Sequence, residues 1–451
     1  MKSRPLIAAL AVSLAGLLCG FAIPSTPKIA APIVVTAAPT YDALAGLHGG
    51  ERFAQGAQLL RIEEGQSEPL VNGFYSTADA SVSFDASRVL FAGKQSATAP
   101  WQIWELTLAS HSVRPVISST NDLVRPLYLP DDRLVYAQRE PGGFRMQTAK
   151  LDGSSVLPLT YMPASAIPSA VLRDGRILFQ SGYPLNAGEI PELYLVYSDG
   201  SGLESYRCDH GTARWGGTQL ESGDVVFTHG TTLARFTSPL AAESPIPSPS
   251  ATFTGVIAET ASGEWLVSAK IGNASHFALN LWKPEASNFQ PVFHVDGKDV
   301  VDPVLLAPRA VPNRHPSALH DWTTANLLAL DARQSRTGPL DQTPSMVQLE
   351  TQDVTGHAIL LGRAPVESDG SFFVKVPGNQ PLRFALLDAK GTILRQEQGW
   401  FWSRGGEQRI CVGCHTGPER APENRVPAVL VRTTTPVDLS VASRSSTTGG
   451  N

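Results

Sequence analysis

Two cysteines and a histidine form the clearest chemical pattern in this sequence, the segment Cys411-Val412-Gly413-Cys414-His415 near the C-terminus. C-x-x-C-H is the attachment signature of a c-type haem. Each of the two thiols can add to one vinyl group of the porphyrin, and the adjacent imidazole can then bind the iron. The motif therefore predicts one covalent haem c, with thioethers at Cys411 and Cys414 and His415 as the axial ligand.

Two other functions of a C-x-x-C pair stay open at this point. A structural zinc site needs about four Cys or His ligands, and outside the N-terminal region only Cys208 and scattered histidines could complete one. A thioredoxin-like redox site expects a strand and a helix around the motif. Here Gly405-Gly406 precede it and Gly417-Pro418 follow it. These observations favour haem attachment.

The residues near the motif bear on whether such a haem carries electrons or binds a small molecule. Met/His ligation suits electron transfer, whereas an open iron can bind a small molecule. No methionine follows Met346, so the usual methionine downstream of the motif is lacking. We expect the haem to pack over Trp400 and Trp402, with Arg404 and Arg409 near its propionates. Candidate distal ligands are His210, His229, His276, His294, His315, His320 and His357.

The N-terminus carries an export signal. Lys2 and Arg4 precede an apolar run over residues 6–18, which has the length of a signal-peptide core and is too short for a membrane span. Residues 1–22 are therefore predicted to be a signal peptide, cleaved after Ala22. Covalent haem attachment takes place outside the bacterial inner membrane, so both signals predict a periplasmic protein. Lipoprotein anchoring at Cys19 is the less favoured alternative.

The composition favours a turn-rich β protein of at least two domains. The 451 residues include 39 glycines and 35 prolines, and 17% are charged, a balance typical of β structure with many turns. The net charge of −5 gives no sign of a nucleic-acid partner. Without the signal peptide, Cys208, Cys411 and Cys414 remain, which are too few for a disulfide framework.

A repeated unit fills more than half of the chain: a strand, a tight polar turn, and a strongly apolar strand. The apolar strands end at Phe91, Tyr136, Phe179, Phe227 and Val267, so successive ends lie 40 to 48 residues apart. A period of about 40 to 50 residues with β patterning is typical of propeller blades. The repeat therefore predicts a β-propeller.

The two ends of the repeat indicate how the propeller closes. Residues 59–65 look like the outer half of a blade and residues 300–306 like the inner half, so joining them would close the ring. We expect six blades, with seven as the alternative, over residues 51–310, after a linker over residues 23–50. The turns resemble those of TolB-like propellers, and this resemblance implies a fold and no activity. The chain has no G-x-S-x-G motif of a serine hydrolase.

Short strands follow the propeller. Residues 320–400 contain runs that alternate at period two, such as Phe372, Val374 and Val376, which predicts a small β-sandwich. Residues 401–430 are the predicted haem-binding segment, and the Ser/Thr/Gly-rich residues 431–451 are predicted to be disordered. The expected fold class is all-β throughout.

Four segments of the C-terminal part resemble hydrazine synthase alpha-subunit-like proteins: residues 366–377, 381–391, 406–415 and 421–427. The resemblance covers about residues 321–430 and implies a propeller joined to a β domain with a c-type haem. In the family enzyme a tyrosine shortly after the motif is thought to bind the iron. Here the last tyrosine is Tyr206, and Glu419 lies downstream, so His415 is the expected axial ligand. The family enzyme uses several haems, so hydrazine synthesis is not expected from one motif.

The sequence thus predicts an exported monohaem c-type cytochrome-like redox protein of this family, which transfers electrons or acts on a small molecule at the haem. Activity as a haem-dependent oxidoreductase is left open. The expected partner is a redox protein or a small-molecule substrate, with no nucleic acid and no membrane span after signal removal. The alternative is a periplasmic protein-binding or assembly module built on the propeller, with a structural or vestigial haem site.

Overall fold

The computed structural model consists almost entirely of β-strands, which confirms the predicted fold class. It describes residues 27, 29–183, 190–207, 213–238, 241–315, 317, 319–335, 338–353, 355–413 and 423–441. Across these ranges the strands form eight four-stranded sheets, and the single helix is the five-residue α1 (Ala428–Arg432). Within the same ranges, no helix has both the length and the apolar character that crossing a membrane requires.

Five sheets are propeller blades whose four antiparallel strands follow one another along the chain. Blade 1 contains β4 (Ser76–Val82), β5 (Arg88–Lys94), β6 (Gln102–Thr107) and β7 (Ser112–Ile117). Blade 2 contains β8 (Leu123–Leu129), β9 (Arg133–Glu140), β10 (Gly143–Lys150) and β11 (Leu157–Pro158). Blade 3 contains β12 (Ala166–Val171), β13 (Ile177–Tyr183), β14 (Ile190–Val196) and β15 (Glu204–Ser205).

The next two blades repeat this plan. Blade 4 contains β16 (Arg214–Gln219), β17 (Val225–His229), β18 (Thr232–Phe236) and β19 (Ser244–Pro245). Blade 5 contains β20 (Ala251–Glu259), β21 (Trp265–Ile271), β22 (Ala278–Trp282) and β23 (Gln290–Phe293). The apolar strand of each repeat is the second strand of its blade, where its β-branched and aromatic side chains are buried between neighbouring blades.

Blade 6 joins the two ends of the propeller. Its innermost strand is β24 (Asp299–Leu305), followed outward by β1 (Ile33–Ala38), β2 (Gln58–Glu63) and β3 (Gln66–Pro69). The six-bladed ring is therefore closed by pairing of β24 with β1. The linker predicted over residues 23–50 is wrong at β1. The six residues of this strand are all buried, whereas a linker would be exposed. Its Ile-Val-Val-Thr run suits a strand inserted between two others.

A buried cluster of charged side chains fastens the loop between β1 and β2 to the propeller axis. Arg52 pairs with Asp79 and donates to Asp302 Oδ2 at 2.5 Å. The backbone N–H of Arg125 donates to Asp79 Oδ2 at 3.0 Å, and its guanidinium lies 3.4 Å from Asp302 Oδ2. Asp79, Asp302 and Arg125 belong to the innermost strands of blades 1, 6 and 2. Arg52 therefore links the loop directly to blades 1 and 6, and Arg125 of blade 2 joins the cluster through the two carboxylates.

The C-terminal domain is the predicted β-sandwich. One sheet has the order β31 (Gln408–Gly413), β25 (Thr324–Asp331), β28 (Phe372–Pro377) and β32 (Val437–Asp438). The other has the order β27 (Ala358–Pro365), β26 (Met346–Gln352), β29 (Leu382–Leu387) and β30 (Ile393–Gln396). The alternating residues Phe372, Val374 and Val376 share one core with Phe384 and Leu386 of the opposite sheet.

The sandwich extends beyond its predicted end at residue 400. Strand β31 lies in the predicted haem segment and pairs in parallel with β25, and β32 pairs in parallel with β28. The predicted disordered tail therefore begins too early. Residues up to Leu439, which is 4% exposed, pack on the sandwich because Val437 and Leu439 complete its core. Residues 442–451 and the predicted signal peptide, 1–22, lie outside the described residues.

The sandwich is held against the rim of blades 2 and 3. The side chain of Trp402 is fully buried within the hydrophobic cluster that these two blades share. Its indole N–H donates to the Gly200 carbonyl oxygen at 2.9 Å. Arg409 of β31 donates to the Leu203 carbonyl oxygen at 2.6 Å. Strand β31, which carries the start of the C-x-x-C-H motif, is thus fixed relative to the propeller.

Candidate functional site

The first cysteine of the motif lies inside a strand, where the flanking glycines had not led us to expect one. Cys411 is in register with Ala329, a core residue of β25. Residues in register on neighbouring strands project from the same face of a sheet. The thiol therefore points into the space between the two sheets, at an edge where β31 is the last strand. Cys411 is half-buried there and packs against the sandwich core.

The other two residues of the predicted site, Cys414 and His415, lie outside the described residues, as does Cys208. The structure therefore gives a position for the first thioether residue, and the roles of Cys414 and His415 stay predictions. What the fold contributes is a rigid start to the motif: the chain up to Gly413 is paired with β25.

Burial raises the pKa of the Cys411 thiol above its ordinary value, and the neighbouring Arg409 guanidinium lowers it only in part. Cys411 is therefore a neutral thiol at pH 7. Disulfide exchange needs a thiolate, usually one whose pKa is lowered at a helix N-terminus or beside a cation. Addition of an S–H group across a vinyl double bond needs no such activation to be built into the fold. The raised pKa of this thiol thus argues against redox exchange at Cys411.

The two arginines predicted near the propionates are engaged in docking the domains. Arg409 donates to the carbonyl oxygens of Leu203 and Trp402, the latter at 3.4 Å. Arg404 hydrogen-bonds the Tyr161 hydroxyl and donates to Asn379 Oδ1 at 3.0 Å. Both guanidinium groups therefore serve the contact between the sandwich and the propeller.

The two tryptophans also have structural partners. Trp402 is the anchor in the propeller rim, and Trp400 lies under the guanidinium of Arg383, 4.6 Å from its ring centroid. The aromatic side chain that faces the same core as Cys411 is Phe401, which packs on Phe384 at 5.4 Å between ring centroids. Of the aromatic residues just before the motif, Phe401 is the one placed to form an apolar wall for a haem.

Arg395 is the residue of this edge that the sequence analysis missed. It is in register with the core residue Leu386, so its side chain points between the sheets. The side chain is half-buried, and within the described part of the chain its buried Nη1 atom makes no hydrogen bond. A neutral thiol and an aromatic ring that face this core fit the apolar edge of a porphyrin, and a guanidinium suits its carboxylates. The sequence signal that could have identified Arg395 is a charged residue at a core-facing position of the short strand β30.

The predicted distal histidines have other surroundings. The backbone of His320 packs on the turn before β31, where a Cβ on Gly406 would lie 2.7 Å from the His320 nitrogen. Gly406, whose φ is +86°, lies five residues before Cys411, and five residues of extended chain span about 16 Å. The other described candidates have these neighbours: His315 stacks on Tyr197, His229 bonds Glu243, His276 lies near Asp299, His294 near Asp296, and His357 bonds Thr355. His210 lies outside the described residues.

No set of three or more His, Cys, Asp or Glu side chains that could hold a metal ion occurs in the part of the chain that the structure describes. This finding does not test the C-x-x-C-H motif, because Cys414 and His415 lie outside the described residues.

Comparison with known proteins connects the C-terminal part to one family. Residues 328–416, which include the whole C-x-x-C-H motif, match the hydrazine synthase alpha subunit middle domain. No curated protein matches the chain.

Solved structures extend the likeness to both domains. Hydrazine synthase from Kuenenia stuttgartiensis superposes with a TM-score of 0.75 and 14% sequence identity, over 90% of this chain and 72% of that one. TolB from Acinetobacter baumannii aligns over 62% of this chain and 67% of its own, with 15% identity and a TM-score of 0.38. At 14% identity the hydrazine synthase structure bears on fold alone. The C-terminal domain belongs to the hydrazine synthase alpha subunit middle-domain family, and the propeller and sandwich together have the fold of a hydrazine synthase alpha-like protein.

Proposed function

We propose that this chain is an exported c-type cytochrome-like redox protein, with one haem attached at Cys411 and Cys414 and His415 as the axial ligand. The observation that carries the proposal is the complete C-x-x-C-H motif within the segment that matches the family. The position of Cys411 supports it, because its half-buried thiol lies on the last strand of a sheet, immediately before the rest of the motif. The periplasm is the proposed location.

Attachment would need no oxidant. Each thiol would add across one vinyl double bond, forming a carbon–sulfur bond while its proton passes to the neighbouring carbon. The bound haem would supply an iron centre that exchanges one electron or binds a small molecule. The described residues would orient it: pairing of β31 with β25 fixes Cys411, and Phe401, which packs on the same core, would shield one side from water. The proposed partner is a redox protein or a small-molecule substrate.

The test is an optical spectrum of the full chain, matured in a periplasm that contains a cytochrome c assembly system, in both oxidation states and with carbon monoxide. We expect a c-type spectrum and a haem-stained band that survives denaturing electrophoresis. The variants Cys411→Ser and Cys414→Ser are the controls, and each should lose one thioether. A shift with carbon monoxide would favour reaction at the iron, and an indifferent spectrum would favour electron transfer. Absence of covalent haem from the native chain would refute the proposal.

A second candidate function, a binding or assembly module, is favoured by a recess of about 360 Å³ between blades 6 and 1. Its lining includes the polar side chains of Gln55, Gln58, Asn72 and Lys298, beside the exposed Tyr75. A doubly substituted Cys411→Ser/Cys414→Ser chain separates the two functions. If this haem-free chain still captures the same periplasmic protein as the native chain, and Tyr75→Ala abolishes the capture, the module function is supported.

A further inference from the structure

The recess of about 360 Å³ where blade 6 meets blade 1 has a preformed floor. Ala37 of β1 and Thr77 of β4, which belong to its lining, are 2% and 3% exposed. The Thr77 hydroxyl also accepts the Leu59 N–H at 2.9 Å, which ties the two blades together under the recess. A concave site built on paired strands is ready for a ligand without rearrangement.

The recess is remote from the contact between the propeller and the sandwich. It lies where the innermost strand of blade 1, β4, begins. Trp402 of the sandwich donates to Gly200, which follows the end of β14, the third strand of blade 3. The first and third strands of a blade run in the same direction, so the two places lie at opposite ends of the blades. A ligand in the recess would therefore not compete with the sandwich.

Several polar side chains of the lining are not used by the fold. Three carry amides and one an ammonium group: Gln55, Gln58, Asn72 and Lys298. None of these four side chains forms a hydrogen bond or an ion pair within the described part of the chain. Convergent polar groups that are free to bind are what fix the orientation of a small molecule in a pocket.

The charge in the recess is positive. Lys298 is half-buried, and the lining includes no Asp or Glu. The acidic residues nearest to it in sequence have other neighbours. Asp299 Oδ1 lies 3.8 Å from Lys270 Nζ, and Asp296 Oδ1 lies 3.7 Å from His294 Nε2. The ammonium of Lys298 therefore favours an anionic ligand, to which it would donate a charge-assisted hydrogen bond.

The other groups indicate what kind of anion fits. A single lysine without an arginine suits one carboxylate better than a phosphate, for which a guanidinium fork is the usual partner. Amide groups donate and accept hydrogen bonds, as the hydroxyls of a sugar do. Tyr75, whose side chain is 54% exposed, adds an aromatic ring that can cover apolar C–H groups.

We propose that this recess binds a sugar acid, with Lys298 at the carboxylate and the three amides at the hydroxyls. The volume of the recess suits one or two sugar rings. The proposal gives the propeller a ligand of its own, and it holds whether or not the chain carries a haem.

The experiment is isothermal titration calorimetry of the full chain with D-glucuronate, D-galacturonate and their neutral counterparts D-glucose and D-galactose. We expect one of the acids to bind and its neutral counterpart to bind roughly tenfold more weakly, because it lacks the charge-assisted hydrogen bond. The affinity for the acid should fall as salt is added, since Lys298 is only half-buried. Lys298→Met should reduce the affinity for the acid to that for the neutral sugar, and Lys298→Arg should retain most of it.

The matched control is Lys390→Met, because Lys390 is an exposed lysine in a turn of the sandwich. Its affinity for the acid should equal that of the native chain, as should the affinity of the haem-free Cys411→Ser/Cys414→Ser chain. Unchanged binding of the acid in Lys298→Met would overturn the proposal. Absence of binding of both acids to the native chain at millimolar concentration would also overturn it, and neither result would affect the proposed haem.

Discussion

Arg52 shows how much of the propeller's stability can depend on one residue. Its guanidinium lies between the carboxylates of Asp79 and Asp302, and the side chains of all three are at most 9% exposed. Removing one partner of a buried ion pair leaves an uncompensated charge and costs about 3–5 kcal/mol. Here Arg52→Ala would leave two carboxylates with Arg125 as their remaining cation. We expect it to lower the free energy of unfolding by about that amount in urea titrations followed by circular dichroism.

The control for this prediction is Arg61 of β2, an arginine whose acidic partners are exposed. Arg61 pairs with Glu63 and Glu68, whose side chains are 52% and 65% exposed. Exposed pairs contribute about 0–1 kcal/mol, so Arg61→Ala should change the unfolding free energy little. Equal effects of the two substitutions would show that the axial cluster does not hold the propeller together.

At the scale of single elements, strand β1 gives a sharp prediction about the N-terminus. It pairs with both β24 and β2, so it fills the second position of blade 6. A chain that begins at Pro27 keeps this strand, and we expect it to fold and to unfold in a cooperative thermal transition. A chain that begins at Tyr41 lacks it, so blade 6 loses the strand between β24 and β2 and the ring stays open. That chain should be insoluble or lack the transition, and a cooperative transition at an unchanged temperature would contradict this expectation.

A second element, the segment around Trp402, determines how the haem-bearing domain is held. Replacing a fully buried tryptophan by alanine costs about 3–5 kcal/mol. In Trp402→Ala that cost falls on the contact between the domains. Limited proteolysis should therefore cut faster in the segment that joins β24 to β25, residues 306–323. Trp402→Phe retains most of the packing and loses one hydrogen bond to Gly200, worth about 1 kcal/mol. Its cleavage rate should lie close to that of the native chain, and equal acceleration in both variants would contradict an anchoring role.

Elements with strong local signals were predictable from sequence, and those defined by distant partners were not. The apolar second strands of blades 1 to 5 carry the repeat themselves, as does the alternating strand Phe372–Pro377. Strand β1 stands among prolines and alanines far from the repeat, and its role arises from β24, more than 250 residues later. Strand β31 was hidden for the same reason. At the site, C-x-x-C-H is recognisable from the sequence alone, whereas the core-facing position of Arg395 follows only from pairing of β30 with β29.

For the molecule as a whole, the aspartates predict instability in acid. Asp302, Asp331, Asp369 and Asp438 each have a lowered pKa: burial raises it, but hydrogen bonds and cationic partners lower it by more. Their pKa values in the folded chain lie below the unfolded value of about 3.9. Their stabilisation is therefore fully present above that pH and is lost as the pH falls through the folded values. They lie in both domains, so the propeller and the sandwich should weaken together.

We expect the free energy of unfolding of the full chain to be level between pH 7 and about pH 5 and to fall below about pH 4. Each of these aspartates contributes at most about 1.4 kcal/mol per pH unit there, because the unfolded chain binds its proton first. Urea titrations at a series of pH values measure the slope.

Asp369, which accepts hydrogen bonds from Ser371, Arg425 and the Ala428 N–H, provides the control. Asp369→Asn should be less stable at pH 7 and show a shallower acid slope, since one proton uptake is removed. A stability that stays level to pH 3 in the native chain would mean that these carboxylates are not held ionised by the fold.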